Sequence, residues 1–132
     1  MDTSGYADLK TLLRVAEHTD LFLYDLKHMD PKKHRALTGV SNEKIIHNLK
    51  QLNQFGVDII IRFPVIPGKN CDDENITQTG NFAASLSHVK KVTLLPYHNA
   101  GANKYKHLGL NYAFRKTNPI SDDQLNAIVR RL

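Results

Sequence analysis

Tryptophan is missing from this chain, and cysteine occurs once, at Cys71. A single thiol excludes an internal disulfide and makes the cytoplasm the expected compartment. It also excludes sites that several thiolates build together, iron–sulfur clusters included. No apolar run approaches the roughly 20 residues of a membrane span. No secretory signal pattern opens the chain. There is no Walker loop, no Gly-x-Gly-x-x-Gly and no Gly-x-Ser-x-Gly, so the common nucleotide and serine-hydrolase signatures are absent. The seven histidines form no His-x-x-x-His pair with a carboxylate, so no zinc pattern stands out.

The chain has 132 residues, 41% of them hydrophobic and 23% charged, which suits one globular domain. Eighteen Lys and Arg against 13 Asp and Glu give a net charge of +5, spread along the chain. The densest basic stretch, Lys32-Lys33-His34-Arg35 after Lys27-His28, reads as a solvated helix face. It lacks the interleaved aromatics of a nucleic-acid surface. A modest attraction for an anionic ligand or an acidic partner is compatible with the charge.

Three segments each end an apolar run in polar groups: Leu21 to His28, Ile59 to Gly68 and Val92 to His98. Leu21 to Tyr24, Val57 to Phe63 and Val89 to Leu95 read as buried strands. Leu9, Leu12, Leu13 and Ala16 share one helix face. Asp30, Pro31 and Gly39 bound a short helix over Pro31 to Thr38. Ser41 or Asn42 caps a longer helix that turns Ile45, Ile46, Leu49 and Leu52 inward and ends at Gly56. Pro64, Pro67 and Gly68 break into a loop. Asp72, Asp73 and Glu74 suit a helix start, with Ile76, Phe82, Ala83 and Leu86 behind them. Residues 96 to 120 form a long irregular stretch, and Ser121 to Gln124 makes a capping box for a last helix.

Strands separated by helices are parallel. The expected class is therefore α/β, a parallel half-barrel with its working groups at the carboxyl ends of the strands. Three parallel strands leave faces and edges bare, so a homodimer through the sheet edges is expected.

Asp25 and Lys27 close the first strand on one face, with Leu26 on the other. Together they suit a ligand with hydroxyls on one side and a carboxylate on the other, or form a plain ion pair on the rim. Arg62, among Ile60, Ile61 and Phe63, needs a partner, either a carboxylate or a backbone carbonyl. His98 follows the third strand as a donor to a ligand or as a structural group. The remaining histidines (His18, His28, His34, His47, His88 and His107) read as ordinary. Cys71, beside acidic residues, reads as chemically idle.

Five pieces then come in a fixed order: Asp2-Thr3-Ser4-Gly5, Leu23-Tyr24-Asp25-Leu26-Lys27, Leu37 to Asn42, Ile61 to Gly68, and Leu94-Leu95-Pro96-Tyr97-His98. As an ordered set over residues 2 to 132 they resemble the carboxyl-terminal half of the pyruvate formate-lyase activating enzyme family. These are the glycyl-radical-enzyme activases of the radical S-adenosylmethionine superfamily. The resemblance implies strands four to six of a partial (β/α)6, TIM-like barrel, with Asp2 to Gly5 as the tail of strand three. It implies an anaerobic, cytoplasmic oxidoreductase that cleaves S-adenosyl-L-methionine reductively with a 4Fe–4S cluster. The resulting 5′-deoxyadenosyl radical takes a hydrogen from a glycine of a partner glycyl radical enzyme of the formate acetyltransferase type. A flavodoxin or ferredoxin would supply the electron.

By position, the resemblance gives Asp25, Leu26, Lys27 and His98 to S-adenosylmethionine, and Arg62 to the cofactor or the incoming glycyl loop. It gives Asp2, Thr3 and Asp25 to a monovalent cation, Na⁺ or K⁺. The three-cysteine cluster motif and the Gly-Gly-Glu strand of the family are missing from this chain, so the segment itself is expected to be inactive. The alternatives are a non-catalytic half-barrel that binds a protein or small anion, and a barrel lyase or aldolase with Lys27 as Schiff-base lysine.

Overall fold

The computed structural model describes residues 1–97 and 120–132. Its elements run β1 (Asp2–Thr3), α1 (Leu9–Ala16), β2 (Leu21–Asp25), α2 (Pro31–Thr38), α3 (Glu43–Phe55), β3 (Asp58–Val65), α4 (Asp73–Ala84), β4 (Val89–Pro96) and α5 (Asp122–Val129). The helix periodicities of the sequence account for the five helices of the described residues. The four strands form one parallel sheet in the order β1-β2-β3-β4. One strand more appears than apolar patterning alone predicts. It is Asp2–Thr3, which is too short and too polar to show a period and is recruited by pairing with Leu23 and Tyr24.

Strand alternation sorts the sheet into two unlike faces. Phe22, Tyr24 and Leu26, with Ile59, Ile61, Phe63 and Val65, are all buried. Against them pack Leu12 and Ala16 of α1, Ile45, Leu49 and Leu52 of α3, and Ala83 of α4. Ile76 of α4 and Ile128 of α5 complete the layer beside Phe63 and Val65. Each such side chain contributes about 1.5–3 kcal/mol by leaving water. The described helices therefore cover one face. On the other, Leu21, Leu23, Asp25, Ile60, Arg62, Pro64, Thr93 and Leu95 are only half-buried. A doubly wound sheet would have helices there too.

Two local expectations are corrected. Of the two candidate caps of α3, Ser41 Oγ accepts from the Glu43 N–H at 3.4 Å, whereas Asn42 makes no side-chain cap bond. Its carboxamide donates instead to the carbonyls of His28 and Met29. Pro64 does not end β3, which runs on to Val65 opposite Pro96. A proline is tolerated there because β2 has already ended at Asp25, opposite Arg62, so no strand on that side asks for the missing N–H.

The turn after β1 is tied down from beneath. Gly5 has φ +70°, and its carbonyl accepts from Asn48 of α3. The Tyr24 hydroxyl, which donates to the Ile45 carbonyl at 2.7 Å, fills the space a Cβ on Gly5 would need. Gly5→Ala is expected to cost about 3 kcal/mol or more in urea denaturation, since neither partner is free to give way. Gly39→Ala, at φ +86° with open space around it, should cost only about 1 kcal/mol.

Candidate functional site

The carboxyl ends of β1, β2 and β3 bring their charged side chains together on the half-buried face. Asp25 lies opposite Arg62 in the ladder. Arg62 Nε donates to Asp25 Oδ1 at 2.8 Å, and Nη2 lies 2.7 Å from the same oxygen. The far side of the guanidinium reaches Asp2, with Nη1 donating to Oδ2 at 2.8 Å and Nη2 to Oδ1. One planar fork thus joins two carboxylates from two different strands. Those two bonds raise the Arg62 pKa, the Asp2 contact first among the causes. Lys27 Nζ approaches the other oxygen of Asp25 at 3.3 Å.

Two carboxylates therefore meet two cations, and the cluster is electrically balanced. It is not dry: Asp25 and Arg62 are about one-fifth exposed, and Lys27 about one-third. The arrangement presents an acceptor, Asp25, and a point cation, Lys27, side by side at the end of one strand. Leu26 is fully buried on the opposite face, so its side chain does not line this surface. Thr3 Oγ1 accepts from the Gly5 N–H at 2.9 Å and serves its own turn. His98 and His107 lie outside the described residues.

Beyond Asp25 the β2 ladder is over, and buried side chains take its place. Leu26 N still donates to the Arg62 carbonyl. After that, Asn70 Nδ2 donates to the carbonyls of Lys27 and Pro64, while its Oδ1 accepts from Ile66 N. Asn75 accepts from Met29 N and donates to the Asn70 carbonyl. Asn42, Asn70 and Asn75 are each 3% exposed or less.

His28 is also buried. Its Nδ1 accepts from the Asp30 N–H at 3.0 Å, which puts the proton of the neutral ring on Nε2. Nε2 has no hydrogen bond among the described residues and faces Asp72 Oδ2 at 3.5 Å. Burial pushes the imidazole below the ordinary histidine range, against the pull of Asp72. Among the described residues His34 is the other buried histidine, with Nδ1 2.7 Å from the Val40 carbonyl. Both rings bond backbone groups of neighbouring turns. Cys71 is half-buried, and burial pushes its thiol up, away from reactivity.

Sequence reading singles out Asp25, Lys27 and Arg62 but not the link from Arg62 to Asp2, and it misses the asparagines. A signal for them exists in α3. Asn48 lies on the apolar stripe of Ile45, Leu49 and Leu52, and a carboxamide on a buried face implies a specific partner.

No protein-family model matches the chain. It is 42% identical over 132 residues to the trans-4-hydroxy-L-proline dehydratase activating enzyme of Clostridioides difficile, covering 98% of this chain and 43% of that protein. It is 35% identical over 131 residues to the choline trimethylamine-lyase activating enzyme of Oleidesulfovibrio alaskensis, covering 97% and 42%. It is 37% identical over 114 residues to the pyruvate formate-lyase-activating enzyme of Staphylococcus epidermidis, covering 86% and 45%. The chain spans under half the length of these curated relatives. The crystal structure of a domain of pyruvate-formate lyase-activating enzyme from Bacteroides vulgatus matches with a TM-score of 0.80 and 30% identity, over 99% of this chain and 72% of that one.

The His28 geometry has a pH consequence. The folded state holds this proton more weakly than the unfolded chain does. Stability is therefore expected to fall as pH drops through the unfolded histidine value of about 6.5, and to keep falling until the ring charges in the folded state. Urea midpoints measured from pH 7.5 to 5 should show that slope in the wild type. It should be flatter in His28→Asn, whose Oδ1 still accepts from the Asp30 N–H.

Proposed function

As the chain belongs to the family of glycyl-radical-enzyme activating enzymes, we propose that it is the later half-barrel of such an enzyme and carries part of its S-adenosylmethionine site. The observation that carries this reading is the pairing of Asp25 with Lys27 at the end of β2, on the face that the described helices leave open. In a barrel that face turns inward, and ligands meet the carboxyl ends of its strands. The whole domain, residues 1–132, is read as one such unit.

The donor set suits S-adenosylmethionine. The Asp25 carboxylate is an acceptor for ribose hydroxyls. The Lys27 ammonium is a counter-charge for the carboxylate of the ligand, and both groups are partly exposed, Lys27 by about one-third and Asp25 by about one-fifth. His98 is proposed as a further contact from the end of β4. Leu26 is proposed to shape the site through its backbone, since its side chain belongs to the core. Arg62 is proposed to hold Asp25 in place and to face the incoming glycyl segment.

Two other groups do not fit. One cysteine cannot hold a 4Fe–4S cluster, so no step of the reaction is assigned to the residues of this chain. Nor do Asp2, Thr3 and Asp25 suit a monovalent cation: the Arg62 guanidinium already bridges the two carboxylates, and Thr3 faces its own turn. No role is built on Na⁺ or K⁺. When bound beside a cluster, S-adenosylmethionine supplies radical chemistry. What this chain's residues contribute is binding, orientation and exclusion of water.

The proposed partner is a glycyl radical enzyme, with formate acetyltransferase, dehydratase and lyase types all compatible. Reduction by a flavodoxin or ferredoxin and an anaerobic cytoplasmic setting belong to the same proposal. So does pairing of the open sheet edges with further barrel strands or with a second copy. The alternative of Lys27 as a Schiff-base lysine has less support. A nucleophilic lysine needs an apolar pocket or a second cation, and Lys27 stands beside a carboxylate.

Calorimetric titration of the chain with S-adenosylmethionine tests the reading. Binding is expected in the wild type. Asp25→Asn and Lys27→Met should each weaken it by about tenfold or more while leaving the circular dichroism spectrum unchanged. Unchanged affinity in both variants would sink the assignment. Anaerobic reconstitution should load no cluster.

A further inference from the structure

The turn from Lys27 to Asp30 lies past the end of β2, yet five of its backbone groups take side-chain partners. The Lys27 carbonyl accepts from Asn70 Nδ2 at 3.0 Å. The carbonyls of His28 and Met29 accept from Asn42 at 2.8 and 2.6 Å. The Met29 N–H donates to Asn75 Oδ1 at 2.8 Å, and the Asp30 N–H to His28 Nδ1. Four buried side chains thus replace a strand ladder, and three of them come from other elements.

Asn70 is the centre of this lattice. It is fully buried, and both ends of its carboxamide are used. One hydrogen goes to the end of β2, the other to the end of β3, and its oxygen caps Ile66. Its own carbonyl is braced by Asn75. No other common side chain of this length offers two donors and an acceptor at once. Asn70 therefore fixes the spacing of two strand ends, and one of them carries Lys27.

We propose that Asn70 is a positioning residue that sets where the Lys27 ammonium stands beside Asp25. The proposal rests on the S-adenosylmethionine reading above, with Lys27 meeting the ligand carboxylate. It predicts a selective loss. Asn70→Ser frees the Lys27 carbonyl and lets the turn drift, so contacts made by Lys27 weaken while contacts made by the strands do not.

Two probes separate this from a general loss of structure: S-adenosylmethionine, and 5′-methylthioadenosine, which lacks the amino-acid portion. Calorimetry on the chain is expected to show S-adenosylmethionine binding weakened about tenfold in Asn70→Ser, within the range of coupled neighbours. Affinity for 5′-methylthioadenosine should change less than about twofold, a small fraction of that coupling. Equal losses for both probes, or no loss for either, would overturn the proposal. If Asn70→Ser does not fold, Asn75→Ser, which removes the brace on Asn70, runs the same comparison.

If the wild-type chain binds neither probe, the function reading falls but the clamp is still judged. Amide exchange at Met29 and Asp30 should then speed up in Asn70→Ser more than the global opening rate does. Exchange that merely follows global opening would overturn it.

Discussion

A parallel strand satisfies its backbone only while its neighbour lasts. In this protein β2 stops at Asp25, opposite Arg62, and β3 runs on to Val65. Past that point every exposed N–H and carbonyl that burial removes from water must find another partner, or cost a kilocalorie or more each. Buried carboxamides meet that need. Asn70, Asn75 and Asn42 hold the turn after β2, and Asn48 holds the turn after β1 through the Gly5 and Ala7 carbonyls. Asn53 does the same at the opposite end of the sheet, accepting from the His88 N–H. The charged groups at the strand ends are steady because the loops behind them are held by neutral ones.

The ionic cluster depends on the same arrangement. Arg62 reaches Asp25 across one ladder step and Asp2 across two strands. A guanidinium in this position does not stabilise the fold by its charge alone, because desolvating it costs what the ion pairs return. Its effect is geometric: a planar fork fixes the mutual orientation of carboxylates from β1 and β2. The helix-covered face contributes most of the stability, through Phe22, Tyr24, Ile59, Ile61 and their partners. The open face carries the polar chemistry.

How much of this the sequence makes legible follows from the range of each interaction. Helices with local signals are read well: Asp30-Pro31 and Gly39 bound α2, and Ser121 with Gln124 closes the capping box of α5. Strands of apolar and β-branched residues are read well too. The pairing of Asp25 with Lys27 follows from alternation, and the need of Arg62 for a partner follows from its apolar neighbours. Which partner it takes does not, since Asp2 lies 60 residues away. The β1 strand escapes patterning because two residues have no period. The asparagine lattice escapes it because a carboxamide looks alike whether it caps a helix, faces solvent or bonds a carbonyl 43 residues away, as Asn70 does with Lys27.

Pro64 has one more effect on this end of the sheet. It sits where β3 has outrun β2, the place at which a β-strand is usually open to an added strand. Pro64 has no N–H to offer, and its carbonyl is already held by Asn70. The flank is thus closed to backbone recognition, and an extended peptide cannot dock there by continuing the sheet. Whatever segment approaches these strand ends must be read by side chains, through shape and charge.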